Sequence, residues 1–148
     1  MKKYILSILL FAGLLSGCSA VDQVSQSVNY VSEVTTYINN TSQLSQQLPE
    51  LAQQAITDPS ARQSLIQELQ NAQSQINQFQ NLQVPGFAQD LHQQLSGYTD
   101  TLGTEVNGLI DQAQAGKLTP QALNNSPIFQ TIDQITGLLN QFQQLGNN

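Results

Sequence analysis

Residues 87–116 read FAQDLHQQLSGYTDTLGTEVNGLIDQAQAG, and their apolar members Phe87, Leu91, Leu95, Tyr98, Leu102, Val106, Leu109 and Ala113 step by four or three throughout. This is the period of an α-helix with one buried face. Gly116 is placed to close it as the C′ residue, where a left-handed backbone suits glycine. Outward from this stretch the same period recurs. Upstream, Val21, Val24, Val28, Val31, Val34, Ile38, Thr41, Leu44 and Leu48 form one stripe, which Pro49 is expected to end or kink because proline lacks the N–H for the helical ladder. Leu51, Ala52, Ala55 and Ile56 then suggest a short helical piece. Asp58-Pro59 supplies a capping oxygen and a preset first-turn φ for a helix with the stripe Leu65, Leu69, Ala72, Ile76 and Phe79, which Val84-Pro85-Gly86 breaks.

Downstream, Thr119-Pro120 can start a short turn of helix, and Ser126-Pro127 starts a last long one with the stripe Ile128, Ile132, Ile135, Leu139 and Phe142, closed at Gly146. No strand-like alternation competes. The pattern predicts an all-α fold, an antiparallel four-helix bundle with short connecting helices.

The first residues form a different unit. Lys2 and Lys3 precede an eleven-residue apolar run, Ile5 to Leu15, too short for the roughly 20 residues that span a bilayer. The run reads as the core of a signal segment and ends in Leu15-Ser16-Gly17-Cys18, which resembles a bacterial lipobox. Small side chains before the cysteine let a membrane peptidase reach the backbone, and the Cys18 thiol accepts a diacylglyceryl group. Residues 1–17 are then the lipoprotein signal peptide, and 18–148 the helical domain with Cys18 at its N-terminus. The competing readings are a secretory signal with a coincidental cysteine and an uncleaved short anchor. Ser19 is not the aspartate associated with inner-membrane retention. The expected place is the cell membrane, lipid-anchored, on the extracytoplasmic face.

Residues 18–148 number 131 and carry two cations, Arg62 and Lys117, against ten carboxylates. So few cations leave no basic patch for nucleic acid. Gln and Asn account for 38 of these residues, and they occupy the polar faces where Glu and Lys are usual. Such helices gain little from i,i+4 ion pairs. Apolar residues number 47 of the 131, which implies a thin core. Gly97, Gly103 and Gly108 lie far from the centre of the third stripe, so they read either as a surface that something approaches closely or as a loose face, and not as a notch in the core.

Catalytic groups are sparse. Cys18 is the single cysteine and His92 the single histidine, which leaves no Cys- or His-based zinc set. No Gly-x-Ser-x-Gly elbow, phosphate loop or EF-hand spacing occurs. His92 reads as a boundary residue at the flank of the third stripe. Tyr30 and Tyr37, seven apart, read as cover for the bundle edge or as anchors for a partner. No catalytic, cofactor-binding or metal-binding residue is expected, and the chain is not expected to be an enzyme.

Several segments carry a wider likeness: the lipobox, Val28-Asn29-Tyr30-Val31, Leu48-Pro49-Glu50-Leu51-Ala52 through Thr57-Asp58-Pro59, Asp90-Leu91-His92-Gln93-Gln94, Gly116-Lys117-Leu118, and Asn125-Ser126-Pro127-Ile128-Phe129-Gln130-Thr131-Ile132. In these the chain resembles a family of small helical lipoproteins of Bacillus-like Gram-positive bacteria, grouped as a domain of unknown function. It departs from that family in being Gln-rich where Glu and Lys are expected. The resemblance implies a localisation and an architecture, and it brings no catalytic residue with it. The functional expectation is a non-catalytic interaction module of the cell envelope, held to the membrane by its covalent lipid and facing an envelope protein. The alternative is a small-ligand-binding lipoprotein with an apolar slot lined by Phe79, Tyr98, Phe129 and Phe142.

Overall fold

In a computed structural model of the chain, residues 19–146 are described, with side chains described from residue 28 onward. The expected signal segment 1–17 and the lipidation residue Cys18 lie outside them. The described chain is all-α, with helices α1 (Ser19–Gln54), α2 (Pro59–Gln80), α3 (Gln89–Gln114), α4 (Pro120–Asn124), α5 (Ile128–Thr136) and α6 (Leu139–Leu145), and a 3-10 turn at Gly86–Ala88. No strand occurs among the described residues.

The helix ends follow from local chemistry. Asp58 accepts the Ser60 N–H at 2.8 Å, and Pro59 opens α2. Thr119 Oγ1 likewise accepts the Ala122 N–H at the start of α4. At the end of α3, Gly116 has φ +66°, its N–H bonds the Ala113 carbonyl, and the Lys117 N–H reaches back to the Gln112 carbonyl at 2.8 Å. These two bonds make a Schellman motif, which satisfies carbonyls the helix end would otherwise leave open.

Long side chains report the directions. Tyr30 meets His92 and Tyr37 meets Thr99, so α1 and α3 run parallel. Gln80 bonds Asp100 at one end of α2, and Arg62 packs beside Gly116 at the other, so α2 runs against α3. The chain returns through α5 and α6 along α1, where Gly146 ends against Val31. One continuous core fills the space between them, with Ile38, Leu48, Leu69, Ile76, Leu95 and Ile132 fully buried.

Four expectations need correction. Pro49 does not end the first helix: α1 continues through it to Gln54, with Leu48 and Ala52 fully buried on either side and Pro49 exposed. Its ring sits on the solvent face, where water can serve the Ser45 carbonyl that lost its partner. The last helix is not one long rod but two short ones. At Gly137-Leu138 the ladder tightens, the Leu138 N–H bonding the Ile135 carbonyl three residues back, and this brings Leu138 into the core in place of Leu139.

Val28 and Phe87, read as core-facing, are 55% and 47% exposed. Phe87 belongs to the 3-10 turn, whose buried residue is Ala88. Val28 precedes the level at which Gly146 meets α1. The fourth correction concerns Gly103, which is buried. A β-carbon built there would stand 3.6 Å from Ile76 Cγ2, because α3 packs on both α2 and α5 and so buries an arc wider than a single stripe.

Gly97 and Gly108 meet nothing within 4 Å. Replacing either by alanine is expected to stabilise the domain by about 1 kcal/mol, the difference in helix propensity. The double variant should gain nearly the sum, because the sites share no partner. Urea unfolding midpoints check both.

Candidate functional site

Five rings meet around the early turns of α1, built from residues on four helices. α1 places Tyr30 and Tyr37 one heptad apart on its inner side, α3 places His92 and Thr99 at the same spacing, and α2 and α6 supply Phe79 and Phe142. The Tyr37 ring stacks on Phe79 at 4.7 Å between centroids, and Phe79 stacks in turn on His92 at 4.9 Å. Tyr30 tilts against both His92 and Phe142. Two hydrogen bonds tie the rings to α3: the Tyr30 hydroxyl lies 2.8 Å from His92 Nδ1, and the Tyr37 hydroxyl donates to Thr99 Oγ1 at 3.0 Å.

Burial holds the two tyrosines in their protonated form by pushing their pKa values up. It pushes His92 down from the usual imidazole range, which favours the neutral ring. Tyr30 is therefore the donor and His92 Nδ1 the acceptor. Both hydrogen bonds tie α1 to α3. Among the described residues, no three His, Cys, Asp or Glu side chains gather to hold a metal.

The residues expected to line a slot are distributed differently. Phe79 and Phe142 are fully buried and filled around by Tyr37, His92 and Tyr30. Tyr98 and Phe129 are half-buried against the core. Thr99, which the stripe did not single out, faces the interior beside Tyr98. The repeated seven-residue step, Tyr30 to Tyr37 and His92 to Thr99, was the available signal, but it becomes a pairing only once the register of two parallel helices is known.

Beside this cluster, α1 and α2 leave two half-open hollows. One, of about 340 Å³, lies among Thr36, Asn40, Gln75 and Gln78 over the edges of Tyr37 and Phe79. The other, of about 360 Å³, lies among Asn29, Tyr30 and the residues 81–85 that follow α2. Glu33 and Leu82 line both, so the two hollows adjoin along the α1–α2 seam and are treated together as one groove.

At the opposite seam, Glu105 Oε1 accepts from Thr131 at 3.1 Å, while its buried Oε2 has no partner. Burial raises the Glu105 pKa, and the Thr131 bond partly opposes this. A carboxyl raised in the folded state contributes its full stability below the unfolded value and loses it as pH rises through the folded value. Glu105→Gln is accordingly expected to stabilise the protein at pH 7, with the gain shrinking towards zero below the ordinary glutamate range. His92 has the opposite sign: its contribution is whole above about 6.5 and is lost as pH falls through the lowered value. Removing the Glu105 contribution should therefore steepen the acid-side loss of stability. Unfolding curves across pH 4 to 8 check both signs.

Residues 30–145 match a family of unknown function, DUF6376. The chain belongs to the DUF6376 family. It is also 33% identical, over 146 residues, to the uncharacterized lipoprotein YybP of Bacillus subtilis (strain 168), an alignment that covers 97% of this chain and 99% of that protein. No solved structure matches. The matched region of this DUF6376 member contains the whole ring cluster and all of the groove's lining but Asn29. Among its described residues, no helix is long and apolar enough to cross a membrane.

Proposed function

We propose that this chain is a lipid-anchored protein of the extracytoplasmic membrane face, held by a diacylglyceryl group on Cys18, and that its helical domain is a non-catalytic interaction module for an envelope protein. The observation that carries the reading is the near end-to-end likeness to a protein named as a lipoprotein, joined to the sequence Leu15-Ser16-Gly17-Cys18 at the spacing a lipobox requires. One acyl chain gives marginal attachment and two or more give a stable one, so the lipid suffices as an anchor. The absence of cations between residues 18 and 61 means that the part of α1 next to the anchor has no charge attraction to anionic lipid.

An internal ligand slot gains no support from Phe79 and Phe142, whose surroundings are occupied by the protein's own rings. The surface is the better candidate for recognition, and the carboxamides that dominate it both donate and accept hydrogen bonds.

Two measurements test the reading. Mass analysis of the N-terminal peptide from native membranes should show Cys18 as the first residue, with the mass of the lipid added. Photo-crosslinking probes at the exposed positions Gln93, Gln112, Gln134 and Asn140 should return one recurrent protein adduct. An unmodified Cys18 inside an uncleaved chain would remove the anchor. Adducts to lipid alone would remove the protein partner.

A further inference from the structure

The groove between α1 and α2 is concave and carries one charged side chain, Glu33, where its two halves adjoin. It runs beside residues 29–40 of α1, about 16 Å at the helical rise, which matches roughly five residues of extended chain. The carboxamides of Asn40, Gln75, Gln78 and Gln83 line it without a hydrogen bond to another described residue. Glu33 belongs to both of its halves, and no Lys, Arg or His lines either half.

We infer that this groove is a seat for a short extended peptide segment carrying a basic side chain, which Glu33 receives. The inference deepens the interaction-module reading and rests on it only in taking the occupant to be part of an envelope protein. Charge decides first: a carboxylate with no cation beside it favours an ammonium or guanidinium group and disfavours phosphate or any other anion. Hydrogen-bond chemistry decides second. Each carboxamide offers both N–H donors and a C=O acceptor, the same pair of groups that a peptide backbone presents at every residue. Shape decides between peptide and glycan. Tyr37 and Phe79 at the groove floor are only 6% and 2% exposed, so neither offers an open ring face for a sugar to cover. Leu82 and Val84, half-buried at the rim, present apolar surface for a neighbouring side chain.

The test uses the full lipidated chain in detergent micelles, immobilised, and three pools of acetylated, amidated pentapeptides whose central residue is fixed as Lys, norleucine or Glu. The Lys pool should be retained over both others. Glu33 is exposed, and Glu33→Gln should reduce retention of the Lys pool by up to about fivefold, the upper end for an exposed ion pair. Thr36→Trp, a change at an exposed position of α1, should fill the groove and abolish retention while circular dichroism shows an unchanged helical content. Equal retention of the three pools would overturn the inference, as would retention that survives Thr36→Trp, and so would loss of the bound Lys pool to chitotetraose. The outcome is separate from the anchor: Lys-pool binding by a chain without lipid leaves the groove assigned and removes the membrane reading, and a lipidated chain that binds no pool does the reverse.

Discussion

Phe79→Ala is expected to destabilise the domain by about 3–5 kcal/mol, the range for emptying a fully buried aromatic site. The ring is 2% exposed and is sandwiched by Tyr37 at 4.7 Å and His92 at 4.9 Å. Its removal takes away its own burial and both stacking contacts, and the rings left behind are pinned by hydrogen bonds from Tyr30 to His92 and from Tyr37 to Thr99. Pinned neighbours cannot collapse into the hole, so the cavity part of the loss should be near its upper end. Out of a total stability of roughly 5–15 kcal/mol, this is enough to lower the melting temperature by about 10–20 °C. Urea titration should show a lower midpoint with an unchanged slope, since the unfolded surface is the same. Phe87→Ala is the control. That residue is 47% exposed, so its removal should stay within about 0.5 kcal/mol. Equal losses at the two positions would mean that Phe87 packs as the sequence period suggests and not as the 3-10 turn places it.

The contrast between those two phenylalanines shows what a single sequence can carry. Every long stripe is helical, the last one divided between α5 and α6, because burial of one face imposes a 3.6-residue period that needs no knowledge of partners. The ends were legible where a side chain acts on its own backbone, as at Asp58-Pro59 and Gly116. The errors lie where a neighbour decides. Val28 and Phe87 continue their stripes in sequence, yet nothing apolar packs across from them closely enough to bury them. Gly103 looked peripheral from α3 alone and is buried because α2 covers it. The five-ring cluster depends on the registers of four helices at once, and the groove depends on how far α1 and α2 separate near the end of α2. Neither quantity leaves a period in the chain. The lipobox proposed for residues 15–18 would be legible for the opposite reason: such an address is read by enzymes as a local motif and does not depend on the fold.

Pro49→Ala is expected to raise stability by up to about 3 kcal/mol, the propensity difference for a proline in a helix interior. In sequence this proline is expected to end or kink the helix, and in the structure α1 runs through it to Gln54. Two effects set the magnitude. Alanine restores an N–H that can reach the Ser45 carbonyl, and it relieves the crowding of the proline ring against the preceding turn. Against this, proline restricts the unfolded chain, and losing that restriction returns roughly 0.4–1 kcal/mol to the unfolded state. A net gain of about 2–3 kcal/mol remains. What holds α1 together against the proline is the burial of Leu44, Leu48 and Ala52 on the opposite face; Leu48→Ala should therefore cost less when Pro49 is also replaced, since the helix no longer depends on that packing to stay continuous through residue 49. A double-mutant cycle on Leu48 and Pro49, read by urea unfolding, measures the coupling directly. A Pro49→Ala variant no more stable than the parent would mean that the helix is bent at this point so as to accommodate the ring, with the α1 packing adapted to the bend.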